Sequence, residues 1–217
     1  MKTEVKYAPT NLNDVIYPNV ATERRIKAYA AGQLHGNILF HGPNGTAKST
    51  VALLLAKAIG GAPAVIEVMT YDELAANKDM ARYLKNSCSH AEFYAGSKYF
   101  LILSEFDTAK SDLHTLWTTM DSSGDSMMVI ITTNEPMDVH RSIRSRCEEI
   151  EMPALTSDTV LRRAQYILAA EGLLLPDEQV LHYLRTKDHT GDLRKYWSVL
   201  DDLLFLHSTN APMPTWT

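Results

Sequence analysis

The segment Gly42-Pro43-Asn44-Gly45-Thr46-Ala47-Lys48-Ser49 constrains this chain more than any other. It follows a short apolar run, Asn37 to His41, and precedes a stretch from Thr50 to Ile59 in which Ala, Leu and Lys recur at helical spacing. Strand, loop and helix in that order let a glycine-rich loop turn its backbone N–H groups onto phosphate oxygens at a helix N-terminus. In such a loop the lysine reaches the terminal phosphates and the hydroxyl residue beside it holds Mg²⁺. Those roles fall to Lys48 and Ser49, with Thr50 next in the helix. Glycine usually precedes the lysine; here Ala47 adds a methyl group to a backbone that Gly42 and Gly45 leave free to turn. The expected ligand of Gly42 through Thr50 is ATP with Mg²⁺.

Two further apolar runs, Tyr99 to Leu103 and Met127 to Ile131, have the length and continuity of strands covered on both faces of a parallel sheet. Val65 to Val68 makes a weaker strand, and helical stretches span Asp72 to Cys88 and Ser111 to Asp121. After Met152-Pro153 the alternation stops, and Ser157 to Glu171, Pro176 to Arg185 and Leu193 to His207 read as successive helices. Thr156-Ser157-Asp158 offers N-caps, and Pro176-Asp177-Glu178 places proline and acids in a first turn. The expected organisation is an α/β nucleotide-binding domain over 1–153, a small helical domain over 154–209 and a proline-containing tail over 210–217.

Bulk properties exclude several classes. No apolar run approaches the roughly 20 residues of a membrane helix, so no membrane partner is expected. The N-terminus lacks the apolar core of a signal peptide, and two cysteines give no disulfide framework, so a reducing cytoplasm is the default. A net charge of −5 argues against coating nucleic acid by bulk electrostatics. Lys78, Arg82 and Lys85, spaced i, i+4 and i+7, form either a local phosphate-binding stripe or a solvated helix face. The histidines have no metal-ligand spacing, and Cys147 reads as a small buried residue.

The second strand runs into Ser104-Glu105-Phe106-Asp107, where an NTPase carries an aspartate for the Mg²⁺ shell followed by a water-polarising glutamate. Glu105 is the water-activating candidate. Ser104 stands at the metal-side position, and its hydroxyl holds Mg²⁺ weakly or through water. The third strand leads into Thr132-Thr133-Asn134, bringing an amide toward the same site; Arg144-Ser145-Arg146-Cys147 and Gly191-Asp192-Leu193-Arg194 follow.

Taken in order, these motifs resemble the AAA+ clamp-loader ATPases, meaning replication factor C small subunits, the bacterial γ subunit and the T-even-like phage loader. The likeness includes Lys6-Tyr7-Ala8-Pro9 and Leu12-Asn13-Asp14-Val15, the P-loop, Ser-Glu-Phe-Asp, Thr-Thr-Asn, Ser-Arg-Cys and Gly-Asp-Leu-Arg. It implies an AAA+ P-loop domain, with a parallel sheet flanked by helices, followed by a helical lid. It also implies that Tyr7 and Pro9 lie near adenine, that Asn134 is sensor 1 and Arg194 the sensor-2 arginine. Arg146 would be an arginine finger acting in trans on a neighbour's ATP. The implied partners are AAA+ subunits in a homo- or hetero-oligomer, a sliding clamp and primer-template DNA, in a bacterial or phage-infected cytoplasm or a eukaryotic nucleus.

Three departures bear on that reading. The chain's 217 residues leave no room for the family's collar domain, and Ser104 replaces an aspartate. The stretch Asp112 to Met120, which in the family faces DNA, has no Lys or Arg. Three functions therefore stay open: an ATP-hydrolysing clamp-loader subunit, an ATP-binding scaffold with little or no hydrolysis, and another AAA+ remodeller such as a helicase loader.

Overall fold

The apolar runs assemble into one parallel sheet. In the computed structural model, which describes residues 2–95, 98–106, 113–209 and 211, the elements are α1 (Thr3–Lys6), α2 (Val20–Ala30), β1 (Asn37–His41), α3 (Lys48–Gly60), β2 (Val65–Met69), α4 (Tyr71–Ala75), α5 (Met80–His90), β3 (Tyr99–Leu103), α6 (His114–Ser122), β4 (Met127–Thr133), α7 (Arg141–Arg144), β5 (Cys147–Glu151), α8 (Ser157–Ala170), α9 (Asp177–Arg185) and α10 (Leu193–Ser208). Asp107, the helix start at Ser111 and the tail beyond 211 lie outside the described residues. The chain divides into two compact units. One comprises residues 21–42 and 48–152, the other 1–20, 43–47 and 153–217.

In the sheet unit the strand order is β2-β3-β4-β1-β5 and every pairing is parallel. β3 and β4 are buried along their whole lengths, as strands covered by helices on both faces must be. Leu101, Leu103, Val129 and Ile131 share a core with Leu74, Leu84 and Leu116 of the covering helices. β4 extends past its apolar run through Thr132 and Thr133, whose β-branched side chains suit the pleat. Sequence patterning missed β5, because Cys-Glu-Glu-Ile-Glu buries only Ile150 and sits on the sheet edge, where acidic side chains blunt further pairing.

The helix expected over Asp72–Cys88 is two helices. Thr70 and Glu73 cap α4 in a reciprocal box, and Asp79 caps α5 by accepting the Arg82 N–H at 3.0 Å. Between them the Asn77 amide donates to the Leu74 carbonyl at 3.0 Å, drawing the chain out of helical continuation. Lys78 consequently lies in the turn, and only Arg82 and Lys85 of the basic stripe share a helix, both exposed.

In the helical unit α8, α9 and α10 enclose a core that includes Val160, Ile167, Leu184, Tyr196 and Leu200. Asp188 fastens it, accepting the Ser157 N–H and hydroxyl at 2.8 and 2.9 Å and the Tyr196 hydroxyl at 2.7 Å. The N-terminal segment belongs to this unit. The Thr3 N–H donates to Asp201 at 2.9 Å, the Tyr7 hydroxyl to Glu171 at 2.6 Å, and Lys6 pairs with the same Glu171.

Candidate nucleotide site

The loop from Gly42 to Ala47 joins β1 to α3, and its shape depends on what glycine alone permits. Gly42 has φ +136°, and a β-carbon there would lie 2.2 Å from the Met152 carbonyl oxygen. Gly45 has φ +76°, and a β-carbon there would meet the Asp192 carboxylate at 1.9 Å. The Leu193 N–H donates to the Gly45 carbonyl at 3.0 Å, so backbone and side chain at the start of α10 both reach the loop. The Thr46 hydroxyl donates to the Pro43 carbonyl at 3.0 Å, tightening the turn from within.

Lys48 opens α3 and is buried, with Nζ donating to the Gly42 carbonyl at 2.7 Å across the loop. The lysine thus reaches back across the loop to a backbone carbonyl, a neutral acceptor that an anionic oxygen outcompetes because charge-assisted hydrogen bonds are stronger. Ser49 follows with an exposed side chain in the first helical turn, and Thr50 is half-buried behind it. Ala47 holds φ +65°, a left-handed conformation that its β-carbon disfavours. Within the sheet unit, a constricted Gly42, an inward lysine and a helix of 13 residues starting at that lysine make an arrangement that fits a phosphate group.

Three neighbouring strands bring further candidates to the same end of the sheet. Because β3, β4 and β1 are adjacent and parallel, the residues after their C-terminal ends lie side by side; these are Ser104-Glu105, Asn134 and Gly42. Glu105 is exposed and has φ +52°. Its N–H donates to the Thr132 hydroxyl at 3.4 Å, and the following Phe106 N–H donates to the Thr132 carbonyl at 2.9 Å. Phe106 is buried edge-to-face on Tyr71, with ring centroids 5.3 Å apart. This clip holds a left-handed glutamate at the strand end, and backbone strain of that kind concentrates at functional sites.

Ser104 turns the other way. Its N–H donates to the Met69 carbonyl at 2.9 Å and its hydroxyl to the same oxygen at 3.4 Å, toward the β2 edge. Asn134 is exposed beyond Thr133, whose hydroxyl is engaged with the backbone of Glu135. No cluster of three or more His, Cys, Asp or Glu side chains able to hold a metal occurs among the described residues.

The two candidate arginines are both held by carboxylates. Arg194 donates through Nε and Nη2 to Asp192 at 3.1 and 3.0 Å, while Asp192 also caps α10 by accepting the Arg194 N–H at 2.9 Å. Arg146, in the turn between α7 and β5, donates through Nε and Nη2 to Asp121 of α6 at 2.7 and 2.6 Å. Its guanidinium holds the Asp121 carboxyl below the usual carboxylate range. Beside it, burial pushes the Cys147 thiol up to about 12, which keeps it un-ionised and unreactive near neutrality. Tyr7 is half-buried, edge-on to Tyr166 at 6.4 Å, with its carbonyl accepting from Arg163 at 3.2 Å; Pro9 is half-buried two residues on.

Sequence patterning did not single out Asp121, Thr132 or the Met152 carbonyl as partners of the candidate residues. A capping role for Asp192 was legible from Asp before a helix start. The others act across strands or helices and leave no local signature.

The family model described as the ATPase family associated with various cellular activities (AAA) matches residues 38–154, more than half of the chain. The replication factor C small subunit of Natronomonas pharaonis is 29% identical over 194 residues, covering 88% of this chain and 58% of that protein. The small subunit of Methanosarcina acetivorans is 27% identical over 95% of this chain and 61% of its own length. The large subunit of Thermococcus kodakarensis is 28% identical over 87% of this chain and 38% of its own length. The chain therefore spans less than two thirds of each of these relatives. With a phosphate-binding loop on a parallel sheet of this order and a family match across the sheet unit, the chain belongs to the AAA family of ATPases.

Proposed function

We propose that the chain is an ATP-dependent subunit of a clamp-loader-type AAA+ assembly acting in DNA replication, one that opens a sliding clamp for loading at primer-template DNA. The observation that carries this reading is the reach of the likeness to replication factor C subunits. It runs well past residues 38–154 to cover 87–95% of the chain.

In this reading Lys48 exchanges the Gly42 carbonyl for a phosphate oxygen, the backbone from Pro43 to Ala47 lines the phosphates, and Tyr7 and Pro9 lie near adenine. Ser49 supplies the protein's hydroxyl to Mg²⁺, an ion that would neutralise charge developing on the phosphates. Glu105 orients and polarises the attacking water, with Asn134 beside it. Arg194 leaves Asp192 to act as the sensor-2 arginine, and Arg146 serves a neighbouring subunit's nucleotide, which ties turnover to assembly.

A second reading is favoured by Ser104. A hydroxyl that donates to the Met69 carbonyl, where the family carries a carboxylate, supports an ATP-bound scaffold with little hydrolysis. ATP turnover with and without primed DNA and a clamp distinguishes the two. Stimulated hydrolysis that Lys48→Ala abolishes supports the loader. Tight binding without turnover, with turnover raised by Ser104→Asp, supports the scaffold. A chain that binds no ATP defeats both.

A further inference from the structure

We propose that Asp121 is the positioning residue for Arg146, fixing the guanidinium in advance for the nucleotide of a neighbouring subunit. The inference rests on the trans-acting role proposed above for Arg146. The guanidinium is held at three points. Nε and Nη2 donate to the two oxygens of Asp121 at 2.7 and 2.6 Å, and Nη1 donates to the Ser142 carbonyl at 2.6 Å. Two elements therefore define its plane, α6 through Asp121 and α7 through Ser142. Each terminal nitrogen keeps a further N–H beyond these bonds, because guanidinium is a fixed fork of donors.

The surroundings favour positioning over fold stability. Asp121 is 52% exposed and Arg146 29% exposed, and pairs this open to solvent contribute little to stability. Their geometry is nonetheless bidentate, an arrangement that adds directional specificity to the pair. An unpinned arginine samples many rotamers, and ordering it during the reaction would raise the barrier. A guanidinium already in place costs no such reorganisation when transition-state charge develops.

The test measures kcat and KM for ATP, nucleotide Kd and thermal melting on the full chain in its ATP-induced assembly. Arg146→Ala is expected to lower kcat about 1,000-fold. Asp121→Ala should lower it about 10- to 100-fold, with KM and nucleotide Kd unchanged and the melting temperature within about 2 °C of the parent. Asp121→Glu should recover most of the loss, and Asp121→Ala should add nothing in the Arg146→Ala background. Should Asp121→Ala not fold, Asp121→Asn, which keeps the shape and removes the charge, carries the same expectation. If Arg146→Ala slows turnover while the folded Asp121 variants keep the parent kcat, positioning by Asp121 is overturned and the role of Arg146 stands. If Arg146→Ala leaves turnover unchanged, or the assembled chain hydrolyses no ATP, the trans reading fails and this proposal with it.

Discussion

Ala47 and Glu105 share a backbone conformation that their side chains disfavour, and among the described residues they are the non-glycine residues with positive φ. Each costs about 1–2 kcal/mol relative to an unstrained residue. Ala47→Gly removes that cost while adding back about 0.5–1 kcal/mol of chain entropy, so a modest net gain is expected. Thermal unfolding of the nucleotide-free chain should show a melting temperature about 2 °C higher; a lower one would mean that the Ala47 methyl makes packing that outweighs the strain. Gly42→Ala is the opposite case. Its β-carbon would sit 2.2 Å from the Met152 carbonyl oxygen, and backbone cannot yield as a flexible side chain does. We expect a loss of at least about 2 kcal/mol, read as a drop in the urea midpoint. Glu105→Gln keeps size and backbone, so ATP binding should persist while single-turnover hydrolysis falls about 100-fold or more. Unchanged hydrolysis would remove Glu105 from the reaction.

At the scale of elements, capping decides what periodicity leaves ambiguous. The apolar pattern from Asp72 to Cys88 continues across the break between α4 and α5, but Asn77 and Asp79 offer local hydrogen bonds that end one helix and start the next. Asp79→Ala should cost about 1 kcal/mol and lower the melting temperature by about 2–4 °C; no shift at all would show that packing alone sets the boundary. The strands were legible in proportion to their burial. β3 and β4 announce themselves as unbroken apolar runs because both faces are covered, whereas β5 pairs with β1 alone and carries three glutamates. For such an edge strand the ladder, a non-local feature, supplies the stability that the sequence pattern does not display.

On the scale of the molecule, the first 20 residues group with the helices that end the chain. Glu171 receives both Lys6 and the Tyr7 hydroxyl, which hold its carboxyl below the ordinary glutamate range. A carboxyl whose folded value is depressed stabilises the fold above its unfolded value, about 4.3, and loses that contribution as pH falls through the folded value. Amide exchange of residues 3–7 should therefore quicken relative to the rest of the helical unit as pH drops below about 4. Glu171→Gln should leave that segment fast at every pH. Equal acid sensitivity in the variant would assign the effect to other carboxylates.

What the chain's own order of residues determines is short-ranged. A glycine-rich loop between an apolar run and a helix specifies a phosphate cradle, because turn geometry, helix polarity and the lysine all lie within eight consecutive positions. Helical periodicity and caps likewise depend on neighbours three or four residues away. The tertiary structure decided the rest. It brought the Met152 carbonyl against Gly42, set Thr132 beneath the Glu105 peptide, and joined Asp121 to Arg146 across 25 positions. Those relations depend on sheet order and helix packing, and hydrogen bonds made through space leave no period or spacing along the chain to be read.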